Sequence, residues 1–256
     1  LLYINDITNC LIKSSATIFA DDTSLFFEEK NMDNLEISIN NELVQITQWL
    51  IANRLTLNVD KSNLIVFQNN AKLNLKISLD GEILKQAKFV KYLGVIIDEK
   101  LSWDNHVFTV TKKILQGIGM ISKIRNLLPS AMLKNLYFSF INSHIIYAIE
   151  AWGGTKKSNL TCIEKLIKRA VKLIYFKDRR ENIDELYNRQ KILKVSELIQ
   201  FHWCKLIHMF FQNLLPIQSK DMFIISQVHQ KTRLSQKKNF KITTMSFECF
   251  QKLYFF

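Results

Sequence analysis

The chain has 256 residues, 48% of them apolar, with only six glycines and two prolines. That length allows one large domain or two smaller ones, and the scarcity of turn formers excludes a turn-rich sandwich in favour of long helices. The formal net charge of +12 is unevenly placed: residues 1–100 carry 10 Lys/Arg against 13 Asp/Glu, and residues 101–256 carry 25 against 10. The basic excess therefore lies wholly in the later part, where it suits a phosphate backbone. Cys10, Cys162, Cys204 and Cys249 are scattered without zinc or redox spacing, so a reduced, intracellular chain is expected. The five histidines form no metal pattern, and His202-x-Cys204 reads as helix packing. The most apolar stretch, Phe138 to Trp152, is broken by Asn142, Ser143, His144 and Glu150 and is no membrane span.

Residues 1–15 read as a helix end and a connector. The apolar runs Ala16–Phe19 and Leu25–Phe27 flank Ala20-Asp21-Asp22-Thr23-Ser24, which predicts a β-hairpin with two adjacent carboxylates at its tip. Asn31 to Asn34 supply cap residues for a helix whose apolar face is Leu35, Ile39, Leu43, Ile46 and Leu50, with Trp49 in the core. Leu55–Ser62 is a loop and Asn63–Phe67 a strand. Leu73–Leu79 alternates, Asp80-Gly81 marks a turn, and Glu82–Leu84 is the return strand. Phe89–Tyr92 and Val95–Ile97 are strands around Leu93-Gly94.

From Ser102 the pattern is helical. Val107, Val110, Ile114, Ile118, Ile121 and Ile124 share one face, and Leu128-Pro129-Ser130 starts a second helix with Leu133, Leu136, Tyr137, Phe140 and Ile141 inward. After the break at Gly153-Gly154, a third helix has Leu160, Ile163, Leu166, Ile167, Ala170 and Ile174 on one face. Lys165, Lys168, Arg169 and Lys172 lie on the other, continuing into Lys177, Arg179 and Arg180. Residues 183–215 are helical again, with Leu186, Tyr187, Leu193, Leu198, Phe201, Leu206 and Phe210 apolar. Residues 219–256 read as a loosely structured tail. The whole is an α+β chain divided as 1–101, 102–180, 181–218 and 219–256.

Three features carry chemistry. Asp21 and Asp22 are hard oxygen donors of the kind Mg²⁺ prefers, or acidic residues that merely favour a turn. Lys61 is a surface lysine before a strand, or a general acid. Lys165, Lys168, Arg169 and Lys172 recur at three- and four-residue steps, so they form either a solvated face or a stripe that follows phosphates.

Phe19-Ala20-Asp21-Asp22 resembles the catalytic signature of reverse transcriptases. Leu1–Ile7 resembles the end of the segment before it. Leu55-Thr56-Leu57-Asn58-Val59-Asp60-Lys61-Ser62 resembles the Leu-x-Leu-Asn-x-x-Lys-Thr motif after it, with Ser62 where Thr is usual. Phe89–Asp98, through Tyr92-Leu93-Gly94, resembles the primer-gripping hairpin. The order is that of a non-LTR, LINE-type retrotransposon enzyme, and the likeness extends to about residue 215. The resemblance implies a partial polymerase palm over 1–101 and a thumb-like helical region over 102–180. Asp21 would be a metal ligand with Asp22 as its companion, at a two-metal site for Mg²⁺ or Mn²⁺. Lys61 would protonate the leaving pyrophosphate, Lys88 and Lys91 would meet phosphates, and an RNA template, a DNA primer and dNTPs would be the partners.

In that family a further essential carboxylate comes from a strand upstream of the signature. The sequence starts inside a motif, so the expectation is a fragment with an incomplete metal site, inactive alone. A non-catalytic nucleic-acid-binding module over residues 103–180 is the rival reading, and a degenerate element remnant the third.

Overall fold

Alternation from Ser15 to Glu29 produces the expected hairpin, β1 (Ser15–Phe19) against β2 (Asp22–Glu29), antiparallel and closed by the pair Phe19 and Asp22. The connection is tighter than the five-residue centre read from sequence. Only Ala20 and Asp21 lie between the strands, and Ala20 takes a left-handed φ of 56°. Asp22, Thr23 and Ser24 are strand residues. The computed structural model describes residues 3–20, 22–29, 31–67 and 75–216, and the backbone of 223–225, 240–242 and 251–255. These fall into two units, Leu1–His106 with Phe247–Phe256, and Val107–Ser246. The architecture is α+β, as the element pattern predicts.

In the first unit α1 (Met32–Ala52) leads to β3 (Leu64–Phe67), then to two small hairpins, β4 (Ser78–Leu79) with β5 (Glu82–Ile83) and β6 (Phe89–Tyr92) with β7 (Val95–Asp98). Residues 73–74 of the first predicted alternating strand lie outside the described residues. Leu35, Ile39, Leu43 and Ile46, the face read from periodicity, are at most 3% exposed. They pack on Leu25, Phe27, Leu64 and Val66, with Trp49 and Leu50 at the edge. Fully burying an aliphatic side chain contributes about 1.5–3 kcal/mol, so this face is the main hold of the helix on the sheet. The opposite face of β3, Ile65 and Phe67, meets Val90 of β6 together with Ile97 and Leu101. β3 is buried on both faces, as its unbroken apolar run requires.

Of the tail 219–256, read as loose, the described residues are three strands. β8 (Phe223–Ile225) pairs with β9 (Phe240–Ile242), and β10 (Gln251–Phe255) lies between β2 and β3, antiparallel to both. The main sheet is thus ordered β1-β2-β10-β3.

The second unit begins within α2 (Asp104–Ile124), whose Val107, Val110, Ile114, Ile118 and Ile121 are buried. Gly117 on this helix is required: a Cβ there would stand 2.7 Å from Ile141 Cγ1 and 3.0 Å from the carbonyl oxygen of Phe140. The segment expected as one long second helix is broken. α3 (Ser130–Tyr137) widens into a π turn at Phe138–Asn142, and α4 (Ser143–Ile146) stops before Ala148, which is left-handed at φ 51°. α5 (Ile149–Trp152) follows. The wide turn carries Ile141 inward and leaves Phe140 exposed, against the periodic reading. Ile141, Ile145, Ile149 and Trp152 still form one fully buried line across the breaks.

α6 (Lys157–Ile174) buries Ile163, Ile167, Ala170, Val171 and Ile174. α7 (Asp184–Gln190) buries Tyr187. α8 (Val195–Phe211) buries only Val195 and Leu198; the apolar Leu193, before it, and Phe201, on it, are exposed. Glu164 of α6 accepts a 2.9 Å hydrogen bond from the Val195 backbone N–H at the start of α8, which ties the two helices. No helix among the described residues is long and apolar enough to cross a membrane.

Candidate functional site

Side chains alternate faces along a strand, and paired residues of neighbouring strands share a face. Asp22, Ser24 and Phe26 therefore point the same way from β2. The β10 register aligns Phe26 with Ile65 of β3, through Tyr254 in both pairings. Asp22 thus lies on the sheet face that β6 and β7 pack against. Asp22 is exposed, while Ser24 on the same face is 1% exposed and its Oγ has no hydrogen-bond partner among the described residues. Asp21 lies outside the described residues.

The same register places Lys61. β2 and β3 run parallel, and Leu25 and Leu64 both pair with Phe255. Asp22 is three residues before Leu25, and Lys61 three before Leu64. Both therefore stand at the same end of the sheet, on either side of β10. A short 3₁₀ turn, Val59–Lys61, holds Lys61, and the Asn58 side chain caps it by accepting from the Lys61 N–H at 3.2 Å. The Lys61 side chain is exposed and has no hydrogen bond or ion pair among the described residues.

Tyr92 ends β6, and the connection to β7 is Leu93 and Gly94, both left-handed at φ 44° and 84°. Two positive φ values in a two-residue loop are the hairpin-turn requirement, met easily by glycine and at a cost of about 1–3 kcal/mol by leucine. Lys91, next to the turn, and Lys88, at the open end of the hairpin where its carbonyl accepts from the Glu99 N–H, are exposed.

Two carboxylates missed as site residues hold this unit in shape. Asp98, 7% exposed, accepts from the backbone N–H groups of Lys100, Ser102 and Trp103 at 2.9–3.1 Å and from Ser102 Oγ. It fixes a loop whose Leu101 and Trp103 are left-handed. Glu42, 2% exposed on α1, accepts from the Lys13 and Ser14 N–H groups and from Ser14 Oγ. The signal for Glu42 was its position: it falls on the apolar face between Ile39 and Ile46.

The basic stripe belongs to the second unit and lies on α6 opposite its buried face. Lys165, Lys168 and Arg169 are exposed. Lys172 is engaged, its Nζ donating to the Arg179 carbonyl at 2.6 Å, so it shapes the 175–180 loop. Lys168 helps to hold the carboxyl of Asp184 below its usual range, after the larger effect of the Lys194 ammonium, which donates to it at 2.7 Å. The sequence reading counted four equivalent cations; the structure separates one from the other three.

Among the described residues no three His, Cys, Asp or Glu side chains group to hold a metal ion. The described donor set at the hairpin is one exposed carboxylate, Asp22. By itself it does not fit a two-metal site, which needs converging carboxylates.

The chain is similar to the LINE-type RNA-directed DNA polymerases of non-LTR retrotransposons. It is 24% identical over 159 residues to the RNA-directed DNA polymerase from mobile element jockey of Drosophila melanogaster, covering 61% of this chain and 17% of that protein. It is 24% identical over 167 residues to the probable RNA-directed DNA polymerase from transposon BS of the same species, covering 63% and 18%. Against the corresponding protein from transposon X-element, identity is 20% over 165 residues, with 63% and 18% covered. The chain spans less than a fifth of the length of these relatives. No family model matches the chain, and no solved structure matches it.

Proposed function

We propose that this chain is a segment of a retrotransposon RNA-directed DNA polymerase, whose β1–β2 hairpin contributes Asp21 and Asp22 to a Mg²⁺- or Mn²⁺-dependent nucleotidyl-transfer site. The observation that supports it is one of placement. Asp22 and Lys61 share one end of the sheet, and the β6–β7 hairpin shares the face of Asp22, in a chain similar to proteins named as RNA-directed DNA polymerases. Bound metal would activate the primer hydroxyl and neutralise charge on the transferred phosphoryl. Asp21 and Asp22 would supply only part of the converging carboxylates that a two-metal site needs, and on this reading the chain alone is inactive.

Each residue then has a role of its own. Lys61 gives a proton to the departing pyrophosphate. The rigid turn at Tyr92, Leu93 and Gly94 bears on the primer end, with Lys88 and Lys91 at its phosphates. Lys165, Lys168 and Arg169 follow the backbone of an RNA–DNA duplex, while Lys172 keeps the loop behind them in place.

A primer-extension assay with oligo(dT) on poly(rA) tests the first part. No incorporation is expected from this chain, and robust Mg²⁺-dependent synthesis that disappears in Asp21→Ala would overturn the inactivity. Hybrid binding tests the rest. Neutralising Lys165, Lys168 and Arg169 together should weaken binding and lower the salt slope by up to about three, near one per lost phosphate contact. The exposed α6 stripe also favours a second reading, a binding module without catalysis. Its mark is hybrid binding that Asp21→Ala leaves intact, in a complete polypeptide that also fails to extend a primer.

A further inference from the structure

α6 ends in a closure that glycine usually serves. The Lys177 N–H returns to the Lys172 carbonyl at 2.9 Å, the long bond of a Schellman cap. The left-handed residue inside that closure is Phe176, at φ 54°. An aromatic residue is strained there, and such strain persists only where the surroundings hold it. Here the Arg125 guanidinium stands over the Phe176 ring, 4.6 Å from its centroid. Ser130 Oγ donates to the Ile174 carbonyl at 3.1 Å and fastens the start of α3 to the end of α6. Arg125 has no hydrogen bond or ion pair among the described residues, and its Nε is buried, so the ring is its partner. The cation covers one face of the ring, yet Phe176 is 50% exposed.

The loop that follows is rigid and basic. Lys172 Nζ donates to the Arg179 carbonyl, Lys177 pairs with Glu181 at 2.5 Å, and Asp178 accepts from the Arg180 N–H at 3.0 Å. Those contacts account for both lysines and engage both carboxylates. The guanidinium groups of Arg179 and Arg180 are exposed and have no hydrogen bond or ion pair among the described residues. A half-open ring beside free guanidinium groups is the pairing that unpaired nucleic acid requires, with a π-face for a base and cations for its phosphates. The loop also continues directly from the α6 stripe of Lys165, Lys168 and Arg169.

We propose that Phe176, backed by Arg125, is a stacking platform for an unpaired base of single-stranded nucleic acid, with Arg179 and Arg180 on the flanking phosphates. The proposal rests on the reading of α6 as a nucleic-acid surface and extends it from the duplex to a single strand beside it.

The test is binding of labelled oligo(U) and oligo(dT) to the full chain, measured by fluorescence anisotropy over a range of salt. Phe176→Gly suits the left-handed position and should fold as the parent does, which far-UV circular dichroism checks. It should bind both strands about 5- to 150-fold more weakly, the worth of one base–aromatic stack. Its salt slope should not change, because a ring releases no counterions. Arg179→Gln with Arg180→Gln should instead lower the slope by up to about 1.4. Phe176→Trp keeps a stacking face and should bind as the parent does. Oligo(U) carrying 5-iodouridine, irradiated in the complex, should leave an adduct that mass spectrometry maps to Phe176. Parental affinity in Phe176→Gly, with no adduct at Phe176, would overturn the platform. If neutralising Lys165, Lys168 and Arg169 still weakens binding in that case, the platform alone fails; if it does not, the reading of α6 fails with it.

Discussion

The two units differ in what they do with buried carboxylates and phenols, although the first also buries the unpartnered hydroxyl of Ser24. In the first, the buried carboxylates Glu42 and Asp98 are surrounded by donors: two backbone N–H groups and a hydroxyl for one, three N–H groups and a hydroxyl for the other. They fix irregular segments that sheet and helix ladders cannot, the connector before β1 and the loop after β7. In the second, the hydroxyls of Tyr137 and Tyr187 and one oxygen of Glu164 are buried without a partner among the described residues. Burial, reinforced by the negative charge of Glu164, pushes both phenols well above their usual pKa. A charge placed in a core organises the chain around it only when donors converge on it. Otherwise the helices are held by apolar packing, and the polar atom is a passenger.

That contrast can be broken most sharply at Asp98. Asp98→Ala removes the acceptor of four hydrogen bonds and leaves three N–H groups to find water; a loss of about 2–4 kcal/mol is expected in the first unit. Hydrogen exchange should report it at β6 and β7 while the interior amides of α6 keep their protection. If α6 loses protection equally, the units do not unfold separately.

Within α2, two neighbouring glycines sharpen the packing side of the comparison. Gly117→Ala drives a methyl against Ile141 and the Phe140 carbonyl, at an expected cost of about 1–3 kcal/mol. Gly119 has nothing within 4 Å of a built Cβ, so Gly119→Ala should stabilise by about 0.5–1 kcal/mol through helix propensity alone. Opposite signs in urea unfolding are the expected result, and equal signs would deny the close crossing of α2 with the π turn.

Smaller still is Tyr137→Phe. Deleting an unpaired buried hydroxyl should be neutral or stabilising by up to about 1 kcal/mol, whereas a loss of more than that would mean the hydroxyl is bonded. The smallest effect concerns pH. Burial, followed by the nearby Lys113 ammonium, lowers the His144 pKa below its usual 6.5. The unfolded chain then takes up a proton near that pH while the folded chain resists it. Stability should fall as pH drops below about 6.5 and level off below the folded value. Differential scanning calorimetry should show this slope flattened in His144→Gln.

Much of the architecture was legible because it is periodic. The four-, four- and three-residue steps from Leu35 to Ile46 gave α1 and its core face, and Asp80-Gly81 and Leu93-Gly94 marked turns that exist. What escaped reading depends on single residues in unusual backbone states or on contacts distant in sequence. Neither Ala20 nor Ala148 is a residue type that signals left-handed backbone, so the tight hairpin and the helix break were hidden. The insertion of β10 was hidden for another reason: strand pairing across the length of a chain leaves no local trace. At the candidate site, Asp22, Lys61 and Tyr92–Gly94 were singled out by motif, but the shared sheet end of Asp22 and Lys61, and the shared face of Asp22 and the β6–β7 hairpin, came from register. The inequality of Lys172 and its neighbours came from a single hydrogen bond to a carbonyl.

The position of β10 also sets an order of events. The second unit is one continuous stretch of chain, Val107–Ser246. The first unit closes its sheet only when the far end arrives, which makes it the higher-contact-order half and the slower to fold. On a ribosome the helical unit is complete while the sheet still lacks a strand.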